Sequence, residues 1–110
     1  MNEQRIDLTT NEKGLAERNT KRIVGKLKSI IISSKSTIDV VLKIKEFDLP
    51  IFKTYAFSGN RYFAIKFRPL SEPSKIEDYF EDYYLDDILT VQVTGQRNAK
   101  VKLILRWENG

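Results

Sequence analysis

The sequence predicts an all-β protein, an antiparallel β-sandwich of jelly-roll or immunoglobulin-like type with about seven or eight strands. Three observations predict it. Apolar and polar residues alternate with a period of two in several short runs, as in Ile38, Val40, Leu42 and Ile44 set against Asp39, Lys43 and Lys45. Turn-forming Gly, Pro, Asn and Ser residues punctuate those runs at short spacing. One stretch, residues 70–87, breaks the rhythm and reads as an acidic, aromatic insertion.

Taken in order, Arg5 to Thr10 reads as a short edge strand with Ile6 and Leu8 on one side, followed by a turn at Asn11-Glu12-Lys13-Gly14. Arg22 to Ser33 is apolar at Ile23, Leu27, Ile30, Ile31 and Ile32. Its phase changes near Ser29, which suits a bulge, and Gly25 marks a close approach of backbone. Ser33-Ser34-Lys35-Ser36 reads as a loop that turns the chain back into the strand Thr37 to Glu46. Ile51–Phe57 and Tyr62–Phe67 flank Ser58-Gly59-Asn60-Arg61 as a hairpin, with Tyr55, Phe63 and Phe67 as core candidates. After the insertion, Leu89, Val91 and Val93 alternate with Thr90, Gln92 and Thr94. They lead through Gly95-Gln96-Arg97-Asn98 into Val101, Leu103, Leu105 and Trp107, a second hairpin. Within the insertion Ser74 and Glu77 form a capping-box pattern, so the segment reads as a short helix or as an extended Tyr-rich loop.

The 110 residues form one domain, residues 1–110, long enough to bury a modest core. The chain contains neither Cys nor His. That removes disulfides, thiolate catalysis, Cys or His zinc sites and His-based triads, and the five glycines are too scattered for a phosphate loop. The expectation is a protein that is not an enzyme, has no catalytic residues, and holds no cofactor and no metal. No apolar run is long enough to span a bilayer as a helix, and residues 1–10 lack the apolar core of a secretory signal, so no membrane role is expected.

Charge is segregated. Residues 71–90 carry 7 acidic and 1 basic side chain, against 10 basic and 6 acidic in residues 1–46, within a chain of net charge +4. Oppositely charged surfaces favour head-to-tail meeting of like molecules. The acidic segment is therefore the candidate partner-docking site. Tyr79, Phe80, Tyr83 and Tyr84 supply contact area, and Glu77, Asp78, Glu81 and Asp82 supply steering, as do Asp86 and Asp87; a merely solvated segment is the bland alternative. The spacing of these acids does not match a calcium-binding EF-hand loop. Lys43 and Lys45 on one strand, with Lys100, Lys102 and Arg106 on another, form a basic surface if the two strands lie side by side. With Tyr55, Tyr62 or Phe63 as stacking residues, such a face would suit single-stranded nucleic acid. Exposed Lys on strands also simply protects against edge aggregation.

The order of strands and turns resembles that of small all-β virion proteins of tailed bacteriophages. The resemblance is carried by Ile6-Asp7-Leu8-Thr9-Thr10 before Gly14, Ile23-Val24-Gly25-Lys26-Leu27, and Ile38 to Ile44. It continues through Pro50-Ile51-Phe52, Gly59-Asn60, and Leu89-Thr90-Val91 leading into Val101 to Trp107. It implies a non-enzymatic structural component of the particle, a head decoration, neck or tail accessory protein made in the host cytoplasm and located in the virion. Its partners would be other virion proteins or further copies of itself. The alternative is a barrel-type protein that binds single-stranded nucleic acid.

Overall fold

The computed structural model describes residues 1–64 and 83–109. Five strands form there: β1 (Asn2–Thr9), β2 (Leu15–Ile44), β3 (Leu49–Ala64), β4 (Tyr83–Gly95) and β5 (Lys100–Glu108). All pairings are antiparallel, in the order β1-β5-β2-β3, and β4 pairs with β2. The all-β class and the antiparallel arrangement expected from the alternation are present. No helix forms among the described residues. The helix or loop expected over the insertion lies largely outside the described residues, and its last part, Tyr83 to Asp87, belongs to β4.

The described strands are fewer and longer than the turn signals implied. Ser33-Ser34-Lys35-Ser36 does not reverse the chain; β2 runs through it for 30 residues. Between the pairs Ser34↔Gly59 and Ile38↔Phe57 the register of β2 slips against β3, so the serine-rich stretch is absorbed as a bulge. The reversal comes later, at residues 45–48, where Asp48 adopts a positive φ of 51° and its N–H bonds the Lys45 carbonyl. Ser58-Gly59-Asn60-Arg61 likewise does not form a hairpin, because β3 continues through it. Gly59 pairs with Ser34 and Asn60 with Ser33, which satisfies the backbone groups that a turn would have left to solvent.

The expected hairpin of Leu89–Thr94 with Val101–Trp107 is also overturned, since β4 and β5 do not pair with each other. β4 pairs with both ends of β2, Val93 lying between Ala16 and Val40, while β5 lies between β1 and the middle of β2. The link between β4 and β5 is captured by the first turn of the chain. Gly95 N–H bonds the Gly14 carbonyl at 2.9 Å, Asn98 N–H bonds the Thr10 carbonyl at 3.1 Å, and Thr10 N–H bonds the Ala99 carbonyl at 3.0 Å. Over Thr90–Thr94 both edges of β4 are held by β2, and β5 is held by β1 and β2, so neither strand has an edge left for a hairpin ladder with the other.

Other expectations hold. Among the described residues β1 pairs only with β5, and it buries Ile6 and Leu8; Asn11 closes the following turn with its carboxamide oxygen, which accepts the N–H groups of Lys13 and Leu15. The phase change near Ser29 is a register shift between Leu27 and Ser29 against β5. The core is the inward set of the alternating runs: Ile23, Leu27, Ile30, Ile32, Ile38, Val40 and Leu42 from β2, Leu85, Leu89, Val91 and Val93 from β4, and Val101, Leu103, Leu105 and Trp107 from β5. Phe57 joins it from β3, whereas Tyr55, expected inside, is 64% exposed. The reason is a bulge: Ala56 adopts a positive φ of 50°, its N–H bonds the Asp39 carboxylate at 2.7 Å, and the ladder skips from Thr54 to Phe57.

Candidate functional site

Of the expected docking residues, Glu77, Asp78, Tyr79, Phe80, Glu81 and Asp82 lie outside the described residues. Tyr83 opens β4, its backbone paired with Leu27. Tyr84 stands across from Lys26 and is 57% exposed. Next to it, Leu85 is buried. Asp86 accepts a hydrogen bond from Arg22 Nε at 2.9 Å, with a second from Arg22 Nη2 to the Asp86 carbonyl at 3.2 Å. Asp86, read as a steering group, is thus tied down by an arginine on the neighbouring strand, in an exposed pair that contributes little to stability.

The two strand segments that carry the five basic residues are not paired side by side. Lys43 lies near the end of β2 that pairs with β3 and β4, and Lys45 opens the turn that follows it, whereas the neighbours of β5 are β1 and residues 26–34 of β2. Lys43 is engaged by Asp48 at 3.0 Å. Arg106 Nε donates to Glu3 at 3.0 Å, and Glu3 also accepts from Arg5 at 3.2 Å. These bonds, Arg106 first and Arg5 second, hold the exposed Glu3 carboxyl below its usual range. Lys100 and Lys102 remain. They are exposed on β5, and neither forms an ion pair among the described residues.

The register of β5, β2 and β3 places further residues on the same outer face as Lys102. Lys102 pairs with Ser33, which pairs with Asn60; one row along, Ile104 pairs with Ile31, which pairs with Tyr62. Directly opposed residues of a ladder share a face, so Tyr62, 61% exposed, stands beside two half-buried isoleucines and one row from Lys102. Phe63, the other stacking candidate, points the other way. Its ring meets Phe52 edge-on at 5.0 Å and lies 6.1 Å from Phe57, and the Arg61 guanidinium covers it at 5.6 Å.

Three structural polar residues carried no signal that sequence reasoning used. Thr10 is buried, donating to the Gln96 carbonyl and accepting the Ala99 N–H at 2.8 Å. Thr20 accepts the Leu89 N–H at 3.0 Å where the β2–β4 register shifts between Asn19 and Arg22. Thr90 donates to the Asn19 carboxamide at 2.8 Å. A threonine inside an alternating strand reads as an ordinary β-former, and only the pairing reveals what its hydroxyl bonds.

No group of three or more acidic side chains is placed to hold a metal ion among the described residues. No helix among them is long and apolar enough to cross a membrane. No protein-family model matches the chain, and no curated protein is similar to it.

Proposed function

We propose that this protein is a non-enzymatic structural component of a tailed-phage particle, a small β-sandwich accessory of the head, neck or tail that docks on a symmetric assembly. The observation that supports it best is the outer edge of β3. Among the described residues β3 pairs only with β2, so a strand of 16 residues has no neighbour on its other edge among them. That strand exposes Tyr55 and Tyr62, carries Lys53 and Arg61, and has no acidic side chain. An edge of this kind accepts a further strand or a complementary surface from another molecule. Its positive charge complements the acidic residues 71–90, the segment in which Glu77, Asp78, Glu81 and Asp82 lie. The sandwich itself is part of this reading: β4 sits between the two ends of β2 while β5 covers its middle, as expected if one long strand bends across two packed layers.

The test is the mass of the purified chain in solution as a function of salt. Assembly through opposite charges would weaken as salt rises, and reversing Lys53 and Arg61 to Glu would weaken it at constant salt. A monomer at every salt concentration that bound no particle component would remove the proposal.

A second reading, binding of single-stranded nucleic acid, rests on the shared outer face of Tyr62, Ile31, Ile104 and Lys102, an aromatic platform beside a cation.

A further inference from the structure

The bulge that replaces the expected loop at residues 33–36 borders an open groove of about 460 Å³. Three lysines line it: Lys35 from the bulge, and Lys100 and Lys102 from β5. No carboxylate lines it, and none of the three lysines forms an ion pair among the described residues. Asp7 stands across from Lys102 on β1 but makes no ion pair with it.

The ladder sharpens the point. Lys102 pairs with Ser33 and Val101 with Ser34, so Lys100 and Lys35 come next on their strands, and both line the groove. Like charges gathered around one groove repel unless something neutralises them. Lys100 and Lys102 are two residues apart on one face, about 7 Å at ordinary strand rise, which is close enough for one small polyanion to touch both.

The rest of the lining consists of hydrogen-bond donors. Ser34 uses its hydroxyl to shape the bulge, donating to the Ser36 carbonyl at 2.8 Å and accepting the Ser36 N–H at 3.2 Å. The Ser33 hydroxyl bonds Asn60. The Ser36 hydroxyl and the Asn98 carboxamide make no hydrogen bond among the described residues and border the same groove; Asn98 is held there by a left-handed φ of 56° and by its N–H bond to the Thr10 carbonyl. Ammonium groups are point-charge binders of phosphate, and hydroxyl and carboxamide groups can complete the contacts to its oxygens.

We infer that this groove is a binding site for a phosphate-class oxyanion, a small ligand carrying one to three phosphate groups, held by Lys35, Lys100 and Lys102. Among the described residues no aromatic side chain lines the groove to stack on a base, which favours a small phosphate over a nucleic-acid strand. The site is separate from the β3 edge and stands whether or not the chain assembles.

The test is titration calorimetry of the full chain with tripolyphosphate, with a short poly-dT oligonucleotide in a parallel arm, at about 50 mM salt so that screening is modest. Tripolyphosphate is expected to bind. The triple variant Lys35→Gln, Lys100→Gln, Lys102→Gln should bind it about tenfold or more weakly, the loss expected when several phosphate contacts go together. A control with the same change of charge elsewhere, Lys13→Gln, Lys26→Gln, Lys45→Gln, should lose less than about threefold, the general-field effect alone. Equal losses in the two variants would overturn the site, as would no binding of tripolyphosphate. Binding of poly-dT alone, lost in the first variant, would also overturn it and give the groove to a nucleic-acid backbone.

Discussion

Gly14 and Gly95 are in backbone contact: the Gly95 N–H donates to the Gly14 carbonyl at 2.9 Å, and a Cβ placed on Gly14 would lie 2.0 Å from the Gly95 carbonyl oxygen. Gly95 in turn lies against β2, where an added Cβ would come 2.8 Å from the Thr37 carbonyl oxygen. The start of β2, the end of β4 and the later part of β2 therefore meet at two residues without side chains.

Gly14→Ala is expected to be severe. Gly14 has a φ of +78° and a backbone atom where the methyl group would go, whereas Gly59 has a φ of +99° and open space. Alanine at Gly59 should cost about 1–2 kcal/mol, from backbone strain alone, and at Gly14 about 3 kcal/mol or more. Urea denaturation of the two variants checks the order; equal costs would mean that the contact relaxes freely.

Ile30 and Leu105 face each other across the β2–β5 ladder, and both are fully buried. Truncating either to Ala should cost about 2–5 kcal/mol. Because the two positions are direct neighbours, the double variant should depart from the sum by about 0.5 kcal/mol or more. Chemical denaturation of the two single variants and the double variant measures this.

Thr20→Val would leave the Leu89 N–H without its acceptor in the core. The expected cost is about 1–3 kcal/mol, that of an unpaired buried donor. Amide exchange should locate the effect, with the Leu89 amide losing more protection than the amides of β5.

Much of this fold was legible in the sequence. The inward residues of β5, Val101 to Trp107, and of β2, Ile38 to Ile44, are those that the alternation named, and the edge position of β1 and the distortion near Ser29 were readable too. The turns were not. Ser33–Ser36 and Ser58–Arg61 have turn composition, yet Ser33 and Ser34 pair with Asn60 and Gly59 before the register slips: two weak strand segments satisfy each other's backbone, which no local signal reports. The basic site was half legible. Lys100 and Lys102 were singled out, but their grouping with Lys35 depends on a bulge, and the separation of Lys43 and Lys45 from β5 depends on topology.

Stability should fall in acid partly through Glu3. Arg106 and Arg5 hold its carboxyl below the ordinary 4.5, so the charged form is favoured in the folded state. The stabilisation is present above the unfolded value and is lost as pH falls through the lower folded one. The denaturation midpoint of the wild type should therefore drop more between about pH 5 and pH 3 than that of Glu3→Gln. Identical pH profiles would show that the two arginine contacts carry no linkage.

The central claim is association through complementary charge, and light scattering at about 50 mM and about 500 mM salt, on either side of strong Debye screening, tests it most directly. An oligomer at low salt that shrinks at high salt is expected. Reversal of Glu77, Asp78, Glu81 and Asp82 to Lys should give a monomer with an unchanged circular dichroism spectrum. A wild-type chain that is monomeric at both salt concentrations, or an oligomer whose mass ignores both salt and charge reversal, would contradict it.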